Sequence, residues 1–315
     1  MIATHVWETV DGVPRIPVGD WIETAFEWVE DNLGDFFDRL ADLIESTVSW
    51  LADLLNTPAP LAMVVVLALL ALLAGGWKLG AGSLVGLGLV IGMEQWPATM
   101  ETLALVFFAA VVALVIAIPL GICAARWDRV SRVIRPVMDL MQTMPGFVWL
   151  VPVVTLFGIG TPAGLVATVI FALPPGVRLT ELGIRQVDAE VVEAGHAFGA
   201  TPRQILRETQ LPLALPTVMA GVNQVIMLAL SMAVIAGLVG GGGLGSQVTT
   251  SISRLDIGLG FEAGLSVVIL AIYLDRLTAA LGRDRSGAGV LRRMRVRAQA
   301  MYQGQRSRAA AGLSG

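Results

Sequence analysis

Few residues in this chain are equipped for chemistry. Its single lysine is Lys78, and Leu79 follows it. A loop that cradles nucleotide phosphates needs Gly-Lys-Ser/Thr, with the lysine on the phosphates and the hydroxyl on a magnesium ion. That triplet is missing, so the chain cannot host a P-loop ATPase site of its own. The two histidines, His5 and His196, belong to no Cys/His/carboxylate cluster with metal-ligand spacing. His196 has no Ser and Asp placed to form a nucleophilic triad, and reads as a solvated helix residue. The one cysteine, Cys123, lies in an apolar run; it rules out an internal disulfide and reads as a small buried hydrophobe. No catalytic residue and no metal site is expected.

The informative polar residues are those inside long apolar runs, where polar groups are costly. The run from about Leu213 to Val239 contains Asn223, Gln224 and Ser231. Asn223, Met227 and Ser231 follow at intervals of four, so on a helix they share a face, with Gln224 beside it. Two readings are open: the lining of a translocation path, or hydrogen bonds that hold helices together. Met141, Met144, Pro145 and Trp149 read as core packing ahead of substrate contact. Pro174-Pro175-Gly176 interrupts another run and is expected to unwind it, which is tolerated inside protein or beside a water-filled cavity. A hinge or gate is therefore expected at Pro174 and Pro175. Gly240 and Gly243 open a Gly-rich connector that either brings backbones close at the mouth of a path or forms a flexible turn. Glu101, Glu181 and Asp275 stand at the ends of runs and read as interfacial anchors.

The elements that position these residues require a membrane. The chain is 55% hydrophobic and 15% charged, with a mean hydropathy of +0.74. Repeated apolar runs near ~18 residues mean membrane spans. Seven are expected, at about 61–77, 79–93, 102–125, 138–157, 163–179, 213–239 and 261–281. The first begins too late for a cleavable signal. Ahead of it, Ile22, Phe26, Val29, Leu33, Phe36, Leu40, Leu43, Trp50 and Leu54 recur at helical spacing, with acidic residues on the other face. This predicts an amphipathic helix over 20–55, with Gly34 as a candidate break. Its polar face is acidic, so burial of Trp21, Phe26, Trp28, Phe36, Phe37 and Trp50, in a membrane surface or against a protein, has to hold it. The fold class is an all-α polytopic membrane protein. Its expected divisions are an outer segment 1–57, two helices in 58–95, a core 96–281 and an Arg-rich tail 282–315.

The net charge of −4 hides a segregation of sign. The first 57 residues carry twelve acidic groups against Arg15 and Arg39, whereas nine arginines lie from Arg276 onward. If the polar loop near Glu193 is cytoplasmic, then eighteen of the 21 positive residues fall inside and three, Arg15, Arg39 and Arg254, fall outside. The positive-inside rule is then met at every loop, with the N-terminus outside and the C-terminus inside.

That loop, EAGHAFGATPRQILRETQLP over Glu193–Pro212, is punctuated by Gly and Pro between two apolar runs. A short helix over Asp188–His196 is expected, then a turn at Gly199–Pro202. A second helical piece should follow through Arg203–Glu208 and stop at Leu211-Pro212. Thr201 fits its N-cap, Pro202 its first turn, and Gly199 the end of the first helix. The segment resembles the EAA loop of ABC importer permeases, which reads Glu-Ala-Ala, three residues, Gly, nine residues, Ile, one residue, Leu-Pro. Glu193, Ala194, Gly199, Leu211 and Pro212 match at that spacing. Gly195 stands in place of the third Ala and Thr209 in place of the Ile.

Leu211–Gly245 and Arg254–Thr278 are similar to the glycine betaine/proline betaine permease group, over about residues 95–281. The resemblance implies a type I ABC importer permease core in a bacterial cytoplasmic (inner) membrane. It implies that the loop 188–212, through Glu193, Ala194, Gly195, Gly199, Leu211 and Pro212, couples to a separate ATPase. ATP and magnesium would then sit on that partner, leaving this chain without a cofactor. The implied partners are a second copy of the chain, cytoplasmic ATP-binding subunits, an extracytoplasmic substrate-binding protein and membrane lipid, with no nucleic acid. Quaternary-ammonium osmolytes are the implied cargo; choline, carnitine or a bile-type compound are alternatives within the class. An ATP-independent channel or secondary transporter would predict paired intramembrane charges or inverted repeats, and neither is clear. A membrane scaffold would not need the Gly/Pro-shaped loop.

Overall fold

The computed structural model describes residues 9–10, 13–14 and 17–285. His5, Arg15 and the tail from 286 onward lie outside the described residues. Two short strands, β1 (Thr9–Val10) and β2 (Val13–Pro14), pair antiparallel with Val10 opposite Val13. The other described residues are helical or in turns and short connections.

The first helix, α1 (Val18–Asn56), runs 39 residues and passes through Gly34 without a break. Its C-terminal half buries Val48 and Ala52. Trp21, Trp28, Phe36, Trp50 and Leu54 remain exposed on the protein surface. A turn holding Pro58 ends it, and α2 (Pro60–Gly75) starts with proline in its first turn, where the missing N–H costs no bond. The two axes meet at 100°. Gly76, at φ +84°, turns the chain directly into α3 (Trp77–Gly92), which packs back on α2.

The core is three long helices: α4 (Trp96–Arg126), α7 (Thr161–Arg185) and α10 (Leu211–Ala236). Small residues let their backbones approach closely, as in membrane helix packing generally. Ala104, Ala109, Ala113 and Ala117 of α4 are buried. A methyl on Gly176 would lie 2.8 Å from Ala117 Cβ and 3.0 Å from Val225 Cγ2, so α7 is wedged between α4 and α10 at that level. This wedge overrules the expected unwinding at Pro174-Pro175. Both prolines are buried and α7 continues through them, because neighbours on either side leave the backbone no room to open.

The apolar run 138–157 behaves in the opposite way. Here α5 (Asp128–Thr143) ends before Pro145, and Met144 is extended with ψ 132°, the conformation that a following proline imposes. A 3₁₀ turn, Gly146–Trp149, then leads into α6 (Leu150–Phe157), and the bend between the two parts is 106°. The expected single span is therefore a broken one.

The connector expected over 240–260 contains a helix, α11 (Gly243–Arg254), before α12 (Ile257–Arg285). Among the described residues, four helical runs are long and apolar enough to cross a membrane: α4, α7, Pro202–Val239 and α12. Counting each bent pair as one span gives up to six. The helix α3, at 16 residues, is a shorter apolar helix outside that count.

Candidate functional site

The loop after α7 folds into an elbow. Asp188 caps α8 (Ala189–Ala197), its Oδ1 accepting from the Glu190 N–H at 3.0 Å. The helix ends in a paired closure: the Ala200 N–H donates to the Gly195 carbonyl at 3.1 Å and the Gly199 N–H to His196 at 2.9 Å. That geometry puts Gly199 at φ +78°, the left-handed region where glycine pays no side-chain penalty. Thr201 and Gln204 then form a reciprocal capping box. The Thr201 N–H donates to Gln204 Oε1 at 2.9 Å, and the Gln204 N–H to Thr201 Oγ1 at 3.4 Å. Pro202 takes the first position of α9 (Pro202–Gln204).

Ile205 and Leu206 are buried under the elbow. A methyl on Gly195 would lie 3.2 Å from Ile205 Cγ1, so an alanine here would need the Ile205 side chain to give by a few tenths of an ångström. Glu193 and Ala194 are exposed on α8, and Phe198 at the tip is 92% exposed. The elbow thus has an apolar tip turned to solvent and a buried heel.

The expected stop at Leu211-Pro212 does not occur. Ile205–Gln210 forms a wide π turn, in which the Leu211 N–H reaches back five residues to Leu206, and α10 follows without interruption. The wide turn relieves the crowding that Pro212 would meet in a tighter one, so the proline is carried inside a continuous helix.

Next to the elbow lies a charged cluster that sequence reasoning assigned to an interfacial anchor. Glu181 on α7 is 5% exposed. Its Oε1 accepts from Ser131 Oγ at 2.8 Å and lies 2.9 Å from Arg135 Nη2 and 3.0 Å from Arg185 Nε. Arg185 also donates to the Ala124 carbonyl at 2.8 Å and to Asp128 Oδ1 at 2.7 Å. Arg178 pairs with Asp139. The Arg185 hydrogen bond and charge hold the exposed Asp128 carboxyl below its ordinary value. Together these contacts fasten α5 to α7. The signal in the sequence was the spacing of Ser131 and Arg135 on one helix opposite Glu181 and Arg185 on another.

The remaining candidates separate. Asn223 Nδ2 donates to Asp275 Oδ1 at 3.0 Å, and Thr278 donates to Asn223 Oδ1, so Asn223 and Asp275 join α10 to α12. Met227 is half-buried, and Gln224 and Ser231 are exposed on the single chain. Gly240 takes a left-handed turn after α10. The Gly243 N–H donates to Glu101 Oε2 at 2.8 Å and the Leu244 N–H to Thr102 Oγ1 at 2.8 Å. Glu101 therefore caps α11 with its carboxylate. Gly243 has φ +61°, and a methyl there would fall 2.3 Å from Thr102 Oγ1.

Residues 117–287, which include the elbow, match the family described as binding-protein-dependent transport system inner membrane component. The chain belongs to this family. The permease is 48% identical over 275 residues to the glycine betaine/proline betaine transport system permease protein ProW of Escherichia coli strain K12. That alignment covers 87% of this chain and 77% of the relative. It is 45% identical over 276 residues to the glycine betaine/carnitine transport permease protein GbuB of Listeria monocytogenes, covering 86% and 97%. The fold resembles that of the inward-facing MetNI methionine ABC transporter, with a TM-score of 0.54 at 24% identity over 58% of this chain and 92% of that one. The permease is thus a multi-pass membrane component of a transport system.

Proposed function

We propose that this permease imports glycine betaine and related quaternary-ammonium solutes. The observation that carries the reading is its 48% identity to ProW across 87% of its length. Carnitine is the second cargo to test, since the GbuB relative is described for both compounds. A second copy of the chain and two ATPase subunits complete the transporter, and an extracytoplasmic binding protein delivers the substrate. ATP and magnesium bind to the ATPase subunits.

The elbow, from Glu193 through Gly199 to Pro212, transmits closure of the ATPase pair. Its exposed tip supports this reading, since Phe198 is left uncovered by the described residues. Gln224, Met227 and Ser231 on α10 line the path; Asn223 holds α10 against α12 at its edge. Pro174 and Pro175 mark the level where α7 bends once α4 and α10 separate from it during the cycle, and Gly240 and Gly243 shape the mouth. The N-terminus lies outside with α1 along the membrane surface. The 100° angle between α1 and α2 and the exposed tryptophans of α1 favour that arrangement. Residues 58–95 flank the core 96–281, and α3 is the seventh crossing.

Uptake of labelled glycine betaine into proteoliposomes tests the proposal, with the permease, its ATPase and its binding protein. Accumulation that needs both ATP and the binding protein supports class and cargo together. ATP turnover stimulated by the binding protein without betaine uptake keeps the class and discards the cargo. Accumulation with neither partner overturns the importer reading.

A further inference from the structure

The helix α12 runs antiparallel to α3 and touches the hairpin of α2 and α3 at two levels. A methyl on Gly75, the last residue of α2, would lie 3.3 Å from Ala280 Cβ, and one on Gly86 of α3 3.1 Å from Ile269 Cγ2. Between these levels the helices part. A methyl on Gly82 would meet nothing within 4 Å. The result is a groove of about 530 Å³, walled by Gly82, Gly86, Ile269 and Ile272, with Lys78 and Arg276 at one end. Its volume is that of a small-ligand site.

The two cations have little to neutralise them. Among the described residues no ion pair involves Lys78, the only lysine in the chain. Arg276 Nε is 3.8 Å from Asp275 Oδ2, but the other carboxylate oxygen of Asp275 is bound to Asn223 on α10. The other lining carries no acidic group. An apolar trough with two cations at one end fits an acyl chain and a phosphate.

We propose that this groove is a binding site for one phospholipid with an anionic headgroup. The headgroup phosphate lies between Lys78 and Arg276, and an acyl chain occupies the space left by the missing side chain of Gly82. The phospholipid is favoured over a free anion because most of the lining is apolar and α12 is long and apolar enough to cross a membrane. Juxtamembrane cations each attract anionic lipid, and two acting together give a preference of about 10- to 30-fold over a zwitterionic lipid.

Native mass spectrometry of the purified transporter complex tests this. Phosphatidylglycerol and phosphatidylcholine with the same acyl chains are titrated against it. The wild type is expected to bind phosphatidylglycerol at least about tenfold more tightly. The pair Lys78→Gln and Arg276→Gln should reduce that preference to below about threefold, while Gly82→Leu, which fills the trough and keeps both cations, should remove lipid binding at the site. Equal binding of the two lipids by the wild type overturns the proposal, as does an unchanged preference in the double variant. Displacement of phosphatidylglycerol by inorganic phosphate, together with no effect of Gly82→Leu, replaces the lipid with a free anion. A disulfide-linked dimer through Gly82→Cys in a Cys123→Ala background makes the face a contact between copies and also overturns it.

Discussion

Glu181 Oε1 on α7 lies 2.9 Å from Arg135 Nη2 on α5, with the Glu181 side chain buried and the Arg135 side chain 60% exposed. The asymmetry decides which partner matters. Replacing Glu181 by Ala leaves Arg185 and Ser131 without their shared acceptor and should cost about 2 kcal/mol, below the range for a fully buried pair because the arginines reach solvent. Arg135→Ala should cost under about 1 kcal/mol, since Ser131 and Arg185 still satisfy the carboxylate. Thermal unfolding of the detergent-purified chain checks the order; equal losses would mean that the cluster does not fasten α5.

Gly199 occupies a left-handed conformation in the closure of α8. Proline cannot reach φ +78° and cannot donate the bond to His196. Gly199→Pro is expected to abolish uptake while the protein still inserts in the membrane. Gly199→Ala should cost only about 1–2 kcal/mol locally and retain partial transport. Normal uptake by the proline variant would remove the elbow from the mechanism.

Phe198 stands 92% exposed at the elbow tip. Burial of a phenylalanine side chain contributes about 2 kcal/mol, so Phe198→Ser should weaken association with the ATPase subunits by roughly 30-fold. Co-purification and titration of the ATPase measure this, and the stability of the isolated permease should not change. Undiminished association would place the contact elsewhere on the loop.

Gly243 has no space for a side chain, because a methyl would fall 2.3 Å from Thr102 Oγ1. Gly243→Ala should push α11 off its cap on Glu101 and Thr102 and lower stability by about 2–4 kcal/mol. Protease cleavage within 240–260, absent in the wild type, is the expected signature.

Asp128 is held below its ordinary value of 3.8, first by the Arg185 hydrogen bond and then by the Arg185 charge. A depressed carboxyl favours the folded state at neutral pH, and the contribution disappears as pH falls below 3.8 through the lowered value. Asp128→Asn should therefore melt below the wild type at pH 6, with the gap closing toward pH 3. A gap that persists at pH 3 would mean that the charge of Asp128 is not what joins it to Arg185.

The local devices were legible because each depends on residues a few positions apart. Thr201, Pro202 and Gly199 specify the elbow by capping and backbone preference alone, and the structure puts them where that chemistry predicts. The prolines were legible only in part. Pro145 breaks its helix and Pro174-Pro175 does not, although the same rule applies to both. What differs is the packing of Gly176 between Ala117 and Val225, a relation between three helices that no local pattern contains. Glu181 was misread for the same reason: its partners Ser131 and Arg135 are fifty and 46 residues away. Asn223 could be assigned to helix joining only once α12 had brought Asp275 and Thr278 beside it.

The π turn at Ile205–Gln210 has a mechanical consequence. Because it replaces the stop expected at Pro212, the elbow heel and the membrane helix are one rod from Pro202 to Val239, 38 residues long. At 1.5 Å per residue the rod measures roughly 57 Å, nearly twice the hydrocarbon thickness of a bilayer. A tilt of a few degrees applied at the elbow is therefore delivered at the far end as a displacement of several ångströms, by leverage and without a joint.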